Sequence, residues 1–154
     1  MNGLTLAFSR DRTSPVSWII RLLTWSEYSH VALVSPDMQK VIEAAHTVGV
    51  REVPLAEWIG NRDYTLKSID HPAPDVAWKW ARTQLGCKYD MRYLWGFLFR
   101  REIQRHSAWA CTELINWACY KAGRALIHRD YGWRITPQHL LMIAEPIPRI
   151  PRID

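Results

Sequence analysis

Three cysteines, six histidines and fifteen acidic residues are the groups in this 154-residue chain that could do polar chemistry. Cys111 stands near the start of a strongly helical stretch, Ala108 to Ala122, with Ser107 as a candidate cap. A thiol there sits in the positive field of the helix start, which favours the thiolate and hence nucleophilic attack. A lone cysteine is more often a small buried hydrophobe, so the reading needs partners. Cys87 follows Gly86 at a helix C-terminal end, where the dipole disfavours a thiolate, and Cys119 lies deep in the Cys111 helix as a core residue.

The partners come from two short apolar segments. Tyr28-Ser29-His30-Val31-Ala32-Leu33-Val34 places a histidine at the head of a strand, and Val41-Ile42-Glu43-Ala44-Ala45 places an acid inside another. Ser35-Pro36-Asp37 between them has turn chemistry, so a β-hairpin is expected. A turn centred on Pro36-Asp37 would set His30 directly opposite Glu43, with Cβ atoms about 4.5–5.5 Å apart. A carboxylate could then orient one imidazole nitrogen while the other faces the thiol. Glu43 among apolar neighbours needs such a partner to offset its desolvation; otherwise it is an exposed edge residue.

These elements belong to a larger pattern. Gly3 to Phe8 reads as a strand, and Ser14-Pro15 opens a helix reaching Trp25. Val48 to Val53 and Tyr64 to Ile69 read as further strands, joined by a short helical connection over Pro54 to Ile59. After His71-Pro72-Ala73-Pro74 a helix capped by Asp75 runs to about Leu85, stopped by Gly86, and the Cys111 helix ends at Gly123. The expectation is one α+β domain over residues 1–154, an antiparallel sheet of about five strands followed by helices. The tail from Pro146 reads as a short extended segment.

Composition narrows the function classes. At 48% hydrophobic and 23% charged, the chain can bury a core. Its longest apolar stretch, Tyr93 to Phe99, runs into Arg100 and Arg101, far short of the ~20 residues a membrane span needs. The net charge of +5 is spread over scattered arginines, with one tighter group at Arg100, Arg101 and Arg105; a solvated basic face is the simplest reading. The arginines are not gathered with aromatics into a nucleic-acid module, so no nucleic acid is expected as partner. Most of the nine tryptophans, among them Trp18, Trp25, Trp78 and Trp80, are expected in the core or the cleft wall. The odd cysteine count without CxxC spacing suggests free thiols. His46, His71, His106, His128 and His139 show no zinc spacing, and neither metal nor other cofactor is expected. The opening residues lack the apolar run of a secretory signal, so the expected place of synthesis is the cytoplasm, with action at a cell wall only after delivery by a phage or secretion system.

Five ordered pieces resemble the NlpC-type cysteine peptidases, specifically their permuted, YiiX-like branch, in which the histidine strand precedes the cysteine helix. They are the His30 segment, the Glu43 strand with Gly49-Val50, Gly86-Cys87-Lys88-Tyr89-Asp90, Cys111-Thr112-Glu113-Leu114-Ile115, and Ile135-Thr136-Pro137-Gln138-His139-Leu140. The resemblance implies a circularly permuted papain-like fold and amide hydrolysis through an acyl-enzyme on Cys111. His30 would be the base, Glu43 the orienting residue, and the Cys111 N–H part of the oxyanion hole. Tyr28 and Tyr89 are the candidate substrate-binding residues, because the family tends to keep a tyrosine hydroxyl near the nucleophile. A peptidoglycan peptide is the substrate it implies. Non-permuted members carry Asp-Cys-Ser at the nucleophile; Ala110-Cys111-Thr112 fits the permuted branch better. Two other classes stay open: a lipid acyltransferase or thioesterase like the lecithin:retinol acyltransferase group, whose Asn-Cys-Glu-His segment this chain lacks, and a catalytically silent module binding cell wall or lipid.

Overall fold

A computed structural model describes residues 3–11, 15–90, 108–128 and 135–147. Ser14, the arginine group at 100–105, Ser107 and the tail beyond Ile147 lie outside the described residues. The chain opens with β1 (Gly3–Arg10) and α1 (Pro15–Thr24), then β2 (His30–Val34), β3 (Lys40–Ala45), β4 (Gly49–Pro54), α2 (Leu55–Ile59) and β5 (Asp63–Asp70). There follow α3 (Pro74–Arg82), β6 (Lys88–Tyr89), β7 (Ala108–Trp109), α4 (Cys111–Lys121), α5 (Pro137–Met142) and β8 (Glu145–Pro146). Six strands form an antiparallel sheet in the order β4-β3-β2-β1-β5-β8, and β6 and β7 form a small parallel pair. The architecture is α+β, as the sequence suggests. The sixth strand is a two-residue piece of the tail laid on β5, too short to show a period of its own.

The sheet alternates between two cores. Leu4, Leu6, Phe8, Val31, Leu33, Ile42 and Ala44 face α3 and α4, packing with Ala77, Ala81, Leu114, Ile115 and Ala118. Ala7, Ala32, Val34, Val41 and Leu66 face the other way, against Leu55 and Trp58 of α2. Each fully buried large side chain contributes about 1.5–3 kcal/mol, so the period-two pattern of β1 to β3 fixes which face each residue takes.

Three expectations are corrected. The helix carrying Cys111 begins at Cys111, because Ala108 and Trp109 pair with Lys88 and Tyr89 as strand. Helix α3 stops at Arg82, with Ala73 as its N-cap and Asp75 in its first turn. Trp18 and Trp25 are 61% and 90% exposed, whereas Trp78 and Trp80 pack on the core. Gly86 and Gly123 do take the left-handed conformation that follows a helix end.

One glycine ties the sheet to the α4 side. The Val50 N–H donates to the Cys87 carbonyl at 2.8 Å, and the Gly86 N–H donates to the Val50 carbonyl at 2.9 Å. Gly49, at φ +78°, lets this approach happen: a Cβ there would lie 2.2 Å from the Cys87 carbonyl oxygen. Gly49→Ala is therefore expected to destabilise the chain by at least about 2 kcal/mol, read as a shift of the urea midpoint without a change in slope.

Candidate active site

His30 and Glu43 meet, though not through the register expected. Leu33 pairs with Ile42 and Val34 with Val41, so the turn centres one residue later, on Asp37-Met38. Met38 takes the left-handed conformation at φ 59°, and the Asp37 carboxylate accepts from Ser35 Oγ (2.5 Å) and the Gln39 N–H (3.0 Å). The pairing is thus displaced by two residues, which preserves the face. His30 and Glu43 lie diagonally across the strands on the α2 side, and Nε2 of His30 is 2.6 Å from Oε2 of Glu43.

Glu43 is 2% exposed and held from three sides. Trp58 Nε1 donates to Oε2 at 2.7 Å, while Arg51 reaches Oε1 with Nε at 2.8 Å and Nη2 at 2.6 Å. Burial pushes the carboxyl pKa up, but His30, then the Trp58 and Arg51 donors, more than offset it and hold Glu43 well below the usual carboxylate range. Sequence reasoning missed Trp58 and Arg51. Arg51 was within reach of a register count, since β3 and β4 form a tight hairpin that sets Glu43 opposite Arg51. Trp58 comes from a separate helix, and no spacing rule points to it.

His30 is the first residue of β2, at the end of the sheet, and its side chain is 22% exposed. Its ring is bonded to Glu43, and Cys111 is near enough to act on its protonation together with Glu43. With Nε2 on Glu43, Nδ1 is the nitrogen left for the thiol. Burial disfavours the imidazolium, yet the hydrogen bonds to Cys111 and Glu43, and their negative charge, push the His30 pKa up to about 9.

Cys111 is 6% exposed and is the first residue of α4, so its N–H has no partner within the helix. The start of α4 is held firmly. The Glu113 carboxylate accepts from the Ala110 N–H at 3.2 Å, and Thr112 Oγ1 donates to the Ile135 carbonyl at 2.6 Å. Thr136 in turn caps α5, with its N–H donating to His139 Nδ1 at 3.1 Å. Cys87 and Cys119 are free thiols; burial pushes Cys119 up to about 12, so it stays a neutral core residue. His71 is fully buried, pairing Nε2 with the Arg124 carbonyl at 2.9 Å and accepting the Ala73 N–H at 3.2 Å, which is a structural role.

A cavity of about 590 Å³ caps the sheet end at which β1 and β3 finish and β2 and β5 begin. Ser9, Arg10, His30, Glu43, Arg51, Arg62 and Asp63 line it on the sheet and α2 side, Ser17 and Ile20 on the α1 side. Tyr89 also lines it, whereas Cys111 and the rest of α4 do not; His30 is the residue of the cavity wall that connects it to Cys111. Of the two candidate tyrosines, Tyr28 is 7% exposed and packs on Phe8 at 6.0 Å with Arg10 over its ring. Among the described residues no group of three His, Cys, Asp or Glu side chains could hold a metal ion, and no helix is long and apolar enough to cross a membrane.

Compared with known proteins, the chain matches no family model and no curated protein.

Proposed function

We propose that this chain is a cysteine hydrolase of the permuted papain-like, NlpC-type kind, cleaving an amide bond in a peptidoglycan peptide. The observation that carries the reading is His30, bonded at 2.6 Å to a buried, three-donor carboxylate and raised in pKa by that carboxylate and by Cys111, a cysteine that starts a helix. A cysteine beside an imidazole at a helix start is the arrangement that thiol nucleophiles use.

In the reaction the Cys111 sulfur attacks the acyl carbon, and the oxyanion takes the Cys111 N–H. The C–N bond then breaks as the His30 imidazolium protonates the departing amine, leaving a thioester. Water, giving its proton to His30, attacks the thioester and releases the acid and the Cys111 thiolate. Glu43 keeps the ring in one orientation throughout, as the acid of a triad does.

A second reading, acyl transfer or hydrolysis on a lipid, draws on α1. Trp18, Ile19 and Leu22 are exposed on a helix whose Ser17 and Ile20 line the cavity, and Trp25 is exposed just past its end, so an apolar surface adjoins the cavity.

Iodoacetamide labelling of the native chain tests the nucleophile, with Cys87 and Cys119 as internal references. Cys111 is expected to be alkylated at pH 6–7 at least about tenfold faster than either. An inert Cys111, or a faster Cys87, would end the hydrolase reading. Panels of muropeptides and lipid thioesters then separate the two substrate classes.

A further inference from the structure

Three arginines line the cavity described above, and two are neutralised. Arg10 bonds Asp63 at 2.7 Å and Glu27 at 3.4 Å, and Arg51 is committed to Glu43. Arg62 has no carboxylate partner among the described residues, and its Nη1 is buried with no hydrogen-bond partner. A buried guanidinium N–H left unmade is unfavourable unless something arrives to accept it.

The backbone presents this side chain deliberately. After α2, Gly60 turns at φ 38°, and the Arg62 N–H returns to the Ile59 carbonyl at 2.8 Å. That brings the guanidinium over Trp58, with Cζ 4.9 Å from the ring centroid. Trp58 is itself fixed by its bond to Glu43. A cation stacked on a fixed aromatic face is pre-organised, so little freedom is lost when it binds an anion.

We propose that Arg62 reads a carboxylate on the substrate, making it the specificity-determining residue of the reaction proposed above, on which this inference rests. A substrate spanning the cavity would set an anionic group at Arg62 and pass its acyl carbon across His30 toward the Tyr89 and Cys111 side. One unpaired guanidinium balances one carboxylate; a phosphate, carrying nearly two charges, would call for a cluster of donors. The cavity volume lies in the range of sites that enclose small ligands.

The test uses the full chain with Cys111→Ala, so that binding is read without turnover. Calorimetry compares the peptide L-Ala-γ-D-Glu-L-Lys carrying free carboxylates with the same peptide amidated at each. The free form is expected to bind about 10–100-fold more tightly, the usual contribution of a hydrogen bond to a charged group. In Arg62→Gln, with an unchanged melting temperature, that preference falls to within about threefold, and Arg62→Lys restores part of it. Equal affinity, no binding of either peptide, a preference that survives Arg62→Gln, or tighter binding of glycerol phosphate overturns the assignment. The two readings fail separately: an unreactive Cys111 with Arg62-dependent carboxylate binding removes the hydrolase and keeps the site, whereas a reactive Cys111 without the preference does the reverse.

Discussion

His30→Ala is expected to lower kcat/KM on an amide substrate by about 10²–10⁴-fold, the usual share of a positioned acid-base group. Glu43 retains Arg51 and Trp58 as donors, so the variant is expected to remain folded. Alkylation of Cys111 at pH 7 should fall on the order of tenfold or more, because an ordinary thiol is only a few per cent thiolate there. The pH profile separates the two functions of the ring. With its pKa at about 9, His30 holds the proton the leaving amine needs through neutrality. Hydrolysis should therefore decline above about pH 9 as that proton is lost, while alkylation, which needs only the thiolate, should not decline. Hydrolysis and alkylation rates measured from pH 5 to 10 read both limbs. Parallel profiles, or an unchanged rate in His30→Ala, would remove the imidazole from the mechanism.

Much of this site was legible because its parts announce themselves locally. A histidine heading an apolar strand, an acid inside the next, and a cysteine opening a helix are each visible in a few residues. The register was legible only modulo two. Whether the turn centres on Pro36-Asp37 or Asp37-Met38 depends on Met38 accepting a positive φ and on Ser35 and Asp37 bonding the turn backbone, which sequence spacing does not decide. The conclusion that His30 and Glu43 share a face survived because a shift of two residues does not change sides, whereas a shift of one would have separated them.

What stayed hidden depends on long-range placement. Trp58 and Arg62 stand on either side of the α2 exit, 15 and 19 positions after Glu43 by their numbers, and only the folded chain brings Trp58 to Glu43 and Arg62 to the cavity. The strand at Ala108–Trp109 was hidden for a different reason. Its residues suit a helix, and pairing with Lys88–Tyr89 overrides that propensity and makes Cys111 the first helical residue. That displacement matters chemically, because it leaves the Cys111 N–H outside the intrahelical ladder and available to an oxyanion.

Glu43 is where stability and mechanism meet, and Glu43→Ala is expected to destabilise the chain by about 3 kcal/mol, the low end for removing one partner of a buried charged cluster. Arg51, 40% exposed, can turn to water, but His30 and the Trp58 N–H are left without their acceptor. The charge itself is isolated by Glu43→Gln, through pH. His30 rises from its ordinary 6.5 to about 9 on folding, so its contribution is fully present below pH 6.5 and lost as pH rises through 9. That shift corresponds to about 3 kcal/mol, shared between Glu43 and Cys111. Glu43 is shifted the other way, so its contribution is present above its ordinary 4.5 and lost as pH falls below it. Urea unfolding at intervals from pH 3 to 10 should therefore show two limbs in the unmodified chain. Glu43→Gln should shrink the acid limb to the part owed to other carboxylates such as Asp37, and flatten the alkaline one, leaving the part owed to Cys111. Profiles of the same shape in both proteins would mean that the His30 proton is held without Glu43, and the orienting role proposed for it would go to Trp58 and the strand ends alone.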